Sequence, residues 1–192
     1  MEQKKEAVQS AESVAWRWFV MRDLKRPNSK SPAYRYLADD GFEVFTPMKW
    51  KLVTNRKDGS RTRVEVPFMQ DLLFVHSQRK SLDPVVNRIN TLQYRFVKGG
   101  KFQEPMVVRD DDMERFIKAV KVGEKPQYYS PEEITPDMCG KHIRIEGGPL
   151  DGCEGCLLEI RGSKNKRLLV SIPNLLTVAV EVSPEYISVE KE

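Results

Sequence analysis

The sequence predicts an α+β domain followed by a small all-β domain. Strand-like and helix-like segments alternate up to residue 122, and a proline-rich segment without apolar periodicity follows. The remaining apolar segments are short and rich in Leu, Ile and Val. The first pattern favours helices packed on one face of a mainly antiparallel sheet, and the last favours a small barrel of strands.

The first domain is expected at residues 16–122, because residues 1–15 are polar and suit a disordered tail. It opens with an aromatic and β-branched segment, residues 16–22, which suits a strand buried on both faces. A short helix follows, with Ser31 as the predicted N-cap and Gly41 as the residue that ends it.

A hairpin is predicted next. Residues 42–53, interrupted at Pro47, and residues 61–66 have strand patterns and are joined across Asp58-Gly59, a strong turn signal. The wholly apolar residues 72–75 then predict an inner strand.

Two further helices are predicted in the first domain. Asp83-Pro84 suits the start of one helix, and Asp110 suits the cap of the other, whose first turn is acidic. Residues 94–97 predict a strand between them. Residues 123–137 hold three prolines and are predicted to be a linker.

The second domain, residues 138–192, is predicted to contain only strands. A five-stranded SH3-like barrel fits its short apolar segments, which are separated by Gly-rich or basic turns. The four predicted strands lie around residues 143–145, 157–160, 168–172 and 178–182.

The charge is distributed unevenly along the chain. Residues 1–126 carry 25 basic and 17 acidic side chains, net +8, whereas residues 127–192 carry 7 and 11, net −4. A basic half favours a polyanionic partner, and ordinary solubilising charge is the alternative.

The composition argues against a membrane or secreted protein. No apolar segment approaches the ~20 residues of a spanning helix. The N-terminus carries charges where a signal peptide has its apolar core, so a cytoplasmic protein is expected. The three cysteines lie in the last third of the chain and do not suit a secreted disulfide framework.

Residues 141–160 (KHIRIEGGPLDGCEGCLLEI) are similar to the KOW motif of transcription elongation and ribosomal proteins. Gly148 and Pro149 are expected to turn the chain between two strands. Gly152 is expected in a backbone conformation that other residues resist, and Gly155 is expected to let two strands approach closely.

The first domain resembles the N-terminal domain of NusG proteins. The matching segments are WFV at 18–20, FTPM at 45–48, VPFMQDLLFV at 66–75 and RFV at 95–97. The resemblance implies a NusG N-terminal (NGN) α/β sandwich with an antiparallel sheet, followed by an SH3-like KOW barrel.

Within that family, the sequence most resembles the specialised paralogues, RfaH and the UpxY-type antiterminators. Residues 172–182 (IPNLLTVAVEV) stand where housekeeping members usually have a polar Gly-Arg-x-Thr-Pro-Val stretch. Such paralogues bind elongating RNA polymerase and suppress pausing and termination. The UpxY type acts on capsular polysaccharide operons.

The resemblance also implies an apolar surface that docks on the clamp helices of the largest polymerase subunit. The matching positions are Phe19, Pro47, Phe68, Met69, Leu72 and Phe74. Burial in the core is the alternative for Phe19 and Phe74, which lie in predicted strands. Residues 69–72 (MQDL) stand where the family has Phe-Pro-Gly-Tyr or Phe-Pro-Asn-Tyr, so a less preformed turn and an altered affinity are expected.

Two basic groups are candidates for binding nucleic acid. Residues 49–63 have a net charge of +5 and are expected to project together from the hairpin and contact phosphates without sequence preference. A solvated hairpin protected from aggregation is the alternative. The hairpin candidates are Lys49, Lys51, Arg56, Lys57, Arg61 and Arg63. The others, Arg79, Lys80 and Arg88, lie near where RfaH reads the non-template strand, but the residues that read bases there are not reproduced.

The sequence favours neither a metal site nor catalysis. Cys139, His142, Cys153 and Cys156 have the spacing of a zinc site, but a KOW fold would bury Cys153 and turn His142 outward. The chain has two histidines and no nucleophile or phosphate-binding motif, which predicts a non-enzyme without cofactors.

The prediction is a monomeric transcription elongation and antitermination factor. Its first domain is expected to bind RNA polymerase and to contact DNA or RNA near the transcription bubble. The barrel is expected to remain β-structured and to recruit a ribosomal protein or a termination factor through an exposed edge at residues 174–182. The alternatives are an RNA-binding or ribosome-associated protein without polymerase contact and a zinc-dependent structural protein.

Overall fold

A computed structural model of the chain describes residues 15–25, 31–159 and 166–189. It forms two compact units, residues 1–108 (unit 1) and residues 109–192 (unit 2). Residues 1–14 of the predicted tail lie outside the described residues. Among the helices of the described residues, none is both long and apolar enough to cross a membrane.

Unit 1 alternates strands with two short helices in its described part. In chain order its elements are β1 (Trp16–Asp23), α1 (Ala33–Asp39), β2 (Glu43–Phe45), β3 (Met48–Thr54), β4 (Arg61–Pro67), β5 (Leu73–Gln78), α2 (Arg79–Arg88), β6 (Leu92–Tyr94) and β7 (Val107–Val108).

The main sheet of unit 1 is antiparallel, with β1 and β5 at its centre. Its strand order is β2-β5-β1-β6, and β7 also pairs with β1. Val20 and Phe74 on the two central strands are fully buried. The predicted aromatic first strand and the predicted inner strand at residues 72–75 are therefore confirmed.

Both helices of unit 1 pack on one face of this sheet. Phe19 and Met21 alternate along β1, so their side chains share that face. They belong to the same buried cluster as Leu37 of α1 and Leu82 of α2. This arrangement confirms the predicted combination of an antiparallel sheet with helices on one side.

Helix α1 begins without the predicted Ser31 cap. Pro32 is the N-cap residue, and the carboxylate of Asp23 accepts a hydrogen bond of 2.7 Å from the Ala33 N–H. The other Asp23 oxygen accepts a hydrogen bond of 3.0 Å from the Lys25 N–H. A buried carboxylate at the end of β1 therefore replaces the local cap.

Helix α2 begins at Arg79, earlier than the predicted start at Asp83-Pro84. Asp83 accepts a hydrogen bond of 2.8 Å from the Tyr94 hydroxyl instead of capping the helix. Burial, together with this hydrogen bond, raises the pKa of Tyr94. Pro84 lies inside the helix and lacks the N–H that would bond the Lys80 carbonyl.

The chain between β6 and β7 folds back on itself. The Met106 N–H donates to the Arg95 carbonyl at 2.7 Å, and the Val97 N–H donates to the Glu104 carbonyl at 3.0 Å. The strand predicted at residues 94–97 is therefore wrong over most of its length: β6 lies at Leu92–Tyr94, and Phe96 forms an isolated bridge with Pro105.

Unit 2 has one α-helix, six strands and three single-turn 3-10 helices (Pro131–Glu133, Pro136–Met138 and Pro184–Tyr186) in its described part. In chain order the α-helix and the strands are α3 (Asp110–Val122), β8 (Glu124–Tyr129), β9 (His142–Ile145), β10 (Glu154–Glu159), β11 (Lys166–Ile172), β12 (Leu176–Val182) and β13 (Ile187–Val189). The predicted capping residue is displaced by one position, because Arg109 is the N-cap of α3 and Asp110 is its first residue.

The strands of unit 2 form one antiparallel sheet. Their order is β13-β9-β10-β11-β12-β8, and β9 to β12 correspond to the four predicted strands. Among the described residues the end strands β13 and β8 do not pair with each other, so the sheet is open and the predicted closed barrel is not seen.

Part of the predicted linker is a strand. β8 pairs with β12, although Tyr128 is its only buried residue. The apolar pattern fails there because an edge strand is held by backbone hydrogen bonds and exposes its side chains. The division between the units precedes α3, which contacts β11 and β12. The boundary predicted from the sequence lies after residue 122.

The predicted docking edge at residues 174–182 is wrong. β12 lies between β11 and β8, and six of its seven residues are buried. Because β8 covers the outer side of β12, the backbone of this strand has no free edge there.

The cysteines adopt an arrangement that the sequence analysis did not predict. Cys139 and Cys156 form a disulfide that ties the segment before β9 to β10. Cys153 is free and buried, as expected, and burial raises the pKa of its thiol.

Candidate functional site

The loop between β4 and β5 is a hydrogen-bonded turn. The Phe68 N–H donates to the Pro47 carbonyl at 2.8 Å, and the Leu72 N–H donates to the Met69 carbonyl at 3.3 Å. Asp71 anchors the turn to the main sheet. Its Oδ2 lies 3.2 Å from a terminal guanidinium nitrogen of Arg95 and 3.4 Å from Nε of Arg22.

These ion pairs change the interpretation of residues 69–72. The departure from the family pattern predicted a less preformed turn, but Asp71 supplies a different restraint. The Arg95 side chain is about three quarters buried, so its charge is partly removed from water and its pairing with Asp71 is stronger than a fully exposed pair. The turn therefore has a defined conformation.

The candidate polymerase-binding residues fall into two groups. Phe68 and Met69 are partly exposed on the turn. The buried positions are Phe19, Pro47, Leu72 and Phe74. Phe74 packs against Phe45 with ring centroids 6.2 Å apart, as expected for a core residue. Phe68 and Met69 are thus the members of the set that a partner can reach directly.

The basic hairpin is a two-stranded ribbon separate from the main sheet. β3 and β4 pair over their whole length, from Met48 opposite Pro67 to Thr54 opposite Arg61. At the turn, the Asn55 N–H donates to the Ser60 carbonyl at 2.8 Å, and Gly59 has φ +69°. Hydrogen bonds from Ser60 to the Asp58 carboxylate hold its pKa below its usual value.

The six hairpin cations do not project together. Side chains of opposed residues share a face of a two-stranded ribbon and alternate along each strand. The register therefore puts Lys49 and Lys51 on one face, and Arg61 and Arg63 on the other. Arg56 and Lys57 lie in the turn that joins the strands and belong to neither face, so the hairpin offers three separate basic groups.

The face of the hairpin that carries Lys49 and Lys51 is next to the turn that carries Phe68. Nζ of Lys49 lies 4.9 Å from the centroid of the Phe68 ring, within range of a cation–π contact. Basic and accessible apolar groups therefore meet at the base of the hairpin.

The opposite face carries two residues that the sequence analysis did not select. Trp50 is 65% exposed and Leu52 is 55% exposed. The signal was present in the sequence, since two large apolar residues two positions apart in a polar strand share a face. The net charge of this segment does not reveal that spacing.

The basic group on α2 is largely engaged within unit 1. Arg88 donates a hydrogen bond of 2.6 Å to the Tyr36 hydroxyl and lies 3.4 Å from Asp40. Arg79 lies 3.6 Å from Asp83, and Lys80 is exposed. This surface offers less available positive charge than the hairpin.

The motif glycines of unit 2 have the predicted local roles. Gly148 has φ +68° and Gly152 has φ +77°. At Gly155 a Cβ would lie 2.0 Å from the Leu169 carbonyl oxygen, so β10 and β11 approach closely there. Pro149 lines a cleft of about 260 Å³ beside Tyr186.

The possible zinc ligands do not converge. Cys139 is bonded to Cys156, Cys153 is in the core, and His142 is exposed. The described residues contain no group of three or more His, Cys, Asp or Glu that could hold a metal ion.

The charge asymmetry follows the structural units. Residues 1–108 have 20 basic and 12 acidic side chains, net +8, and residues 109–192 have 12 and 16, net −4. The positive charge thus belongs to the unit that carries the turn and the hairpin.

The first unit matches a known protein family. Residues 16–117, more than half of the chain, match the family described as "Transcription termination factor nusG". The matched segment spans the described elements of unit 1 and the first part of α3. No curated protein matches the chain.

Proposed function

The chain belongs to the NusG family of transcription factors, and from that membership we propose that it binds elongating RNA polymerase through unit 1 and suppresses pausing and termination. Members of this family are non-enzymatic elongation and termination factors that bind RNA polymerase in general. The use of the clamp helices of the largest subunit is the more specific part of the proposal.

The turn at residues 68–72 is the observation that supports the polymerase contact most directly. It exposes parts of Phe68 and Met69 and is fixed to the sheet by Asp71. An apolar pair on an ordered turn binds without first losing conformational entropy, which favours a stable protein–protein contact. Leu72 and Phe74 are buried, and the Leu72 N–H donates to the Met69 carbonyl.

Nucleic acid near the transcription bubble is the second proposed contact. The hairpin carries six of the basic side chains of unit 1, and its contacts with phosphates would release counterions. Binding is therefore expected to weaken steeply as salt rises. The main candidates are the exposed cations of the hairpin, with Arg79, Lys80 and Arg88 of secondary weight.

Operon-specific antitermination is the proposed specialisation. It rests on the likeness of residues 172–182 to the UpxY type, whose members act on capsular polysaccharide operons. Unit 2 is proposed to act as a KOW-type adaptor for a ribosomal protein or a termination factor. Since β12 is covered on both sides, such a partner would need a surface other than that strand.

Retention of core RNA polymerase on the immobilised full chain at physiological salt tests the polymerase contact. We expect a Phe68→Glu, Met69→Glu double variant to weaken retention about tenfold or more, because buried apolar anchors dominate interface energies. Gln70→Glu adds a charge to the same turn without removing an apolar group, so it is the matched control and is expected to bind like the unaltered chain. Circular dichroism checks that each variant is folded.

The proposal fails if the double variant is folded and retains polymerase as well as the unaltered chain does. The alternative function, an RNA-binding or ribosome-associated protein without polymerase contact, is favoured by the hairpin charge alone. It would replace the present proposal if polymerase is not retained while RNA binds.

A further inference from the structure

One face of the hairpin combines exposed apolar and cationic side chains. The register places Trp50 opposite Glu65 and Leu52 opposite Arg63, with Arg61 further along the same face. Trp50 and Leu52 are more than half exposed, and Arg61 and Arg63 are exposed as well. We call these four residues, Trp50, Leu52, Arg61 and Arg63, the tryptophan face.

The tryptophan face is not needed to hold the fold together. β3 and β4 pair only with each other among the described strands, and Trp50 ranks among the most exposed large apolar side chains of the described residues. Core burial therefore does not explain the indole. Large exposed aromatic side chains beside arginine are typical of binding surfaces.

The charge of the hairpin favours a polyanion over an acid-poor protein surface. The whole hairpin, residues 48–67, carries six cations and two acids. The Asp58 carboxylate is bonded to Ser60 within the turn, and exposed Glu65 lies opposite Trp50, so the hairpin keeps a net charge of +4. An aromatic ring on a cationic strand is the usual platform for an unpaired base, since every base has a π-face. In a duplex those faces are already stacked on each other and are not accessible to an indole.

We propose that the tryptophan face binds single-stranded nucleic acid, with an unpaired base stacked on Trp50 and phosphates held by Arg61 and Arg63. This inference rests on the assignment of the hairpin to nucleic acid in the proposed function. Contacts with phosphates alone would not distinguish strands by their bases. Stacking on Trp50 adds a preference for strands whose bases are exposed.

Fluorescence anisotropy of the full chain with three labelled oligonucleotides tests the inference. These are a single-stranded oligothymidine, an abasic strand with the same number of phosphates, and a duplex of the same length. The unaltered chain is expected to bind oligothymidine at least about fivefold more tightly than the abasic strand, since stacking on an aromatic ring contributes about 1–3 kcal/mol per base.

Trp50→Ala is expected to abolish the preference for oligothymidine and to leave abasic binding unchanged, and Trp50→Phe is expected to restore part of it. Lys51→Ala, on the opposite face, is the matched control and is expected to weaken binding of both strands equally. Equal binding of the two strands by the unaltered chain overturns the stacking inference alone. Tightest binding to the duplex, or a loss of polymerase retention in Trp50→Ala without any change in oligonucleotide binding, overturns it as well. If no oligonucleotide binds, the assignment of the hairpin to nucleic acid falls together with the inference.

Discussion

The carboxylate of Asp23 shows how one buried polar residue determines the geometry of two elements. It ends β1 and accepts hydrogen bonds from the N–H groups of Lys25 and Ala33, the second of which is the first residue of α1. Because Asp23 is only 7% exposed, water cannot replace these bonds if the carboxylate is removed.

Asp23→Ala is expected to lower the free energy of unfolding by about 1–3 kcal/mol, because it leaves the buried Ala33 N–H without an acceptor. Urea denaturation followed by circular dichroism measures the change. Asp23→Asn retains one acceptor oxygen and should recover part of the loss. Asp40→Ala removes an exposed carboxylate from its ion pair with Arg88 and should cost at most about 1 kcal/mol. Equal losses for Asp23→Ala and Asp40→Ala would contradict the capping role.

At the scale of elements, the pairing of β10 with β11 depends on a close approach that only glycine permits. A Cβ at Gly155 would lie 2.0 Å from the carbonyl oxygen of Leu169 in the neighbouring strand. A Cβ at Gly152, by contrast, would have no atom within 4 Å, and φ there is +77°. The two glycines therefore serve different physical purposes.

Gly155→Ala is expected to destabilise unit 2 by about 3 kcal/mol or more, because backbone must move to relieve the clash. Gly152→Ala is expected to cost about 1 kcal/mol, the penalty for a side chain in the left-handed region. Thermal unfolding monitored by circular dichroism compares the two variants. A larger effect at Gly152 would be incompatible with the strand spacing described here.

At the scale of the whole molecule, apolar patterning predicted the elements whose side chains are buried. The strand at Trp16–Asp23 and the four strands β9 to β12 follow from such patterns. The same patterning could not predict β8, because its pairing uses backbone groups and nearly all its side chains are exposed. Asp23 acts ten residues away from the Ala33 N–H that it binds, so no local capping signal reveals it.

The candidate site was predictable to a similar degree. Resemblance to the family located the turn that carries Phe68 and Met69, but burial of Leu72 and Phe74 depends on tertiary packing. The division of the hairpin cations between two faces follows from strand register, which a count of charge does not consider. The disulfide between Cys139 and Cys156 joins residues 17 positions apart, and spacing alone did not favour that pair.

The central claim is that the chain changes RNA polymerase elongation through the turn at residues 68–72. Single-round transcription by purified polymerase on a template with a pause site and a terminator tests it most directly. The unaltered chain is expected to shorten the pause and increase read-through, the Gln70→Glu control to act likewise, and the Phe68→Glu, Met69→Glu variant to leave both as they are without the factor. Transcription that is identical with and without the unaltered chain, or a folded double variant that is fully active, would contradict the account.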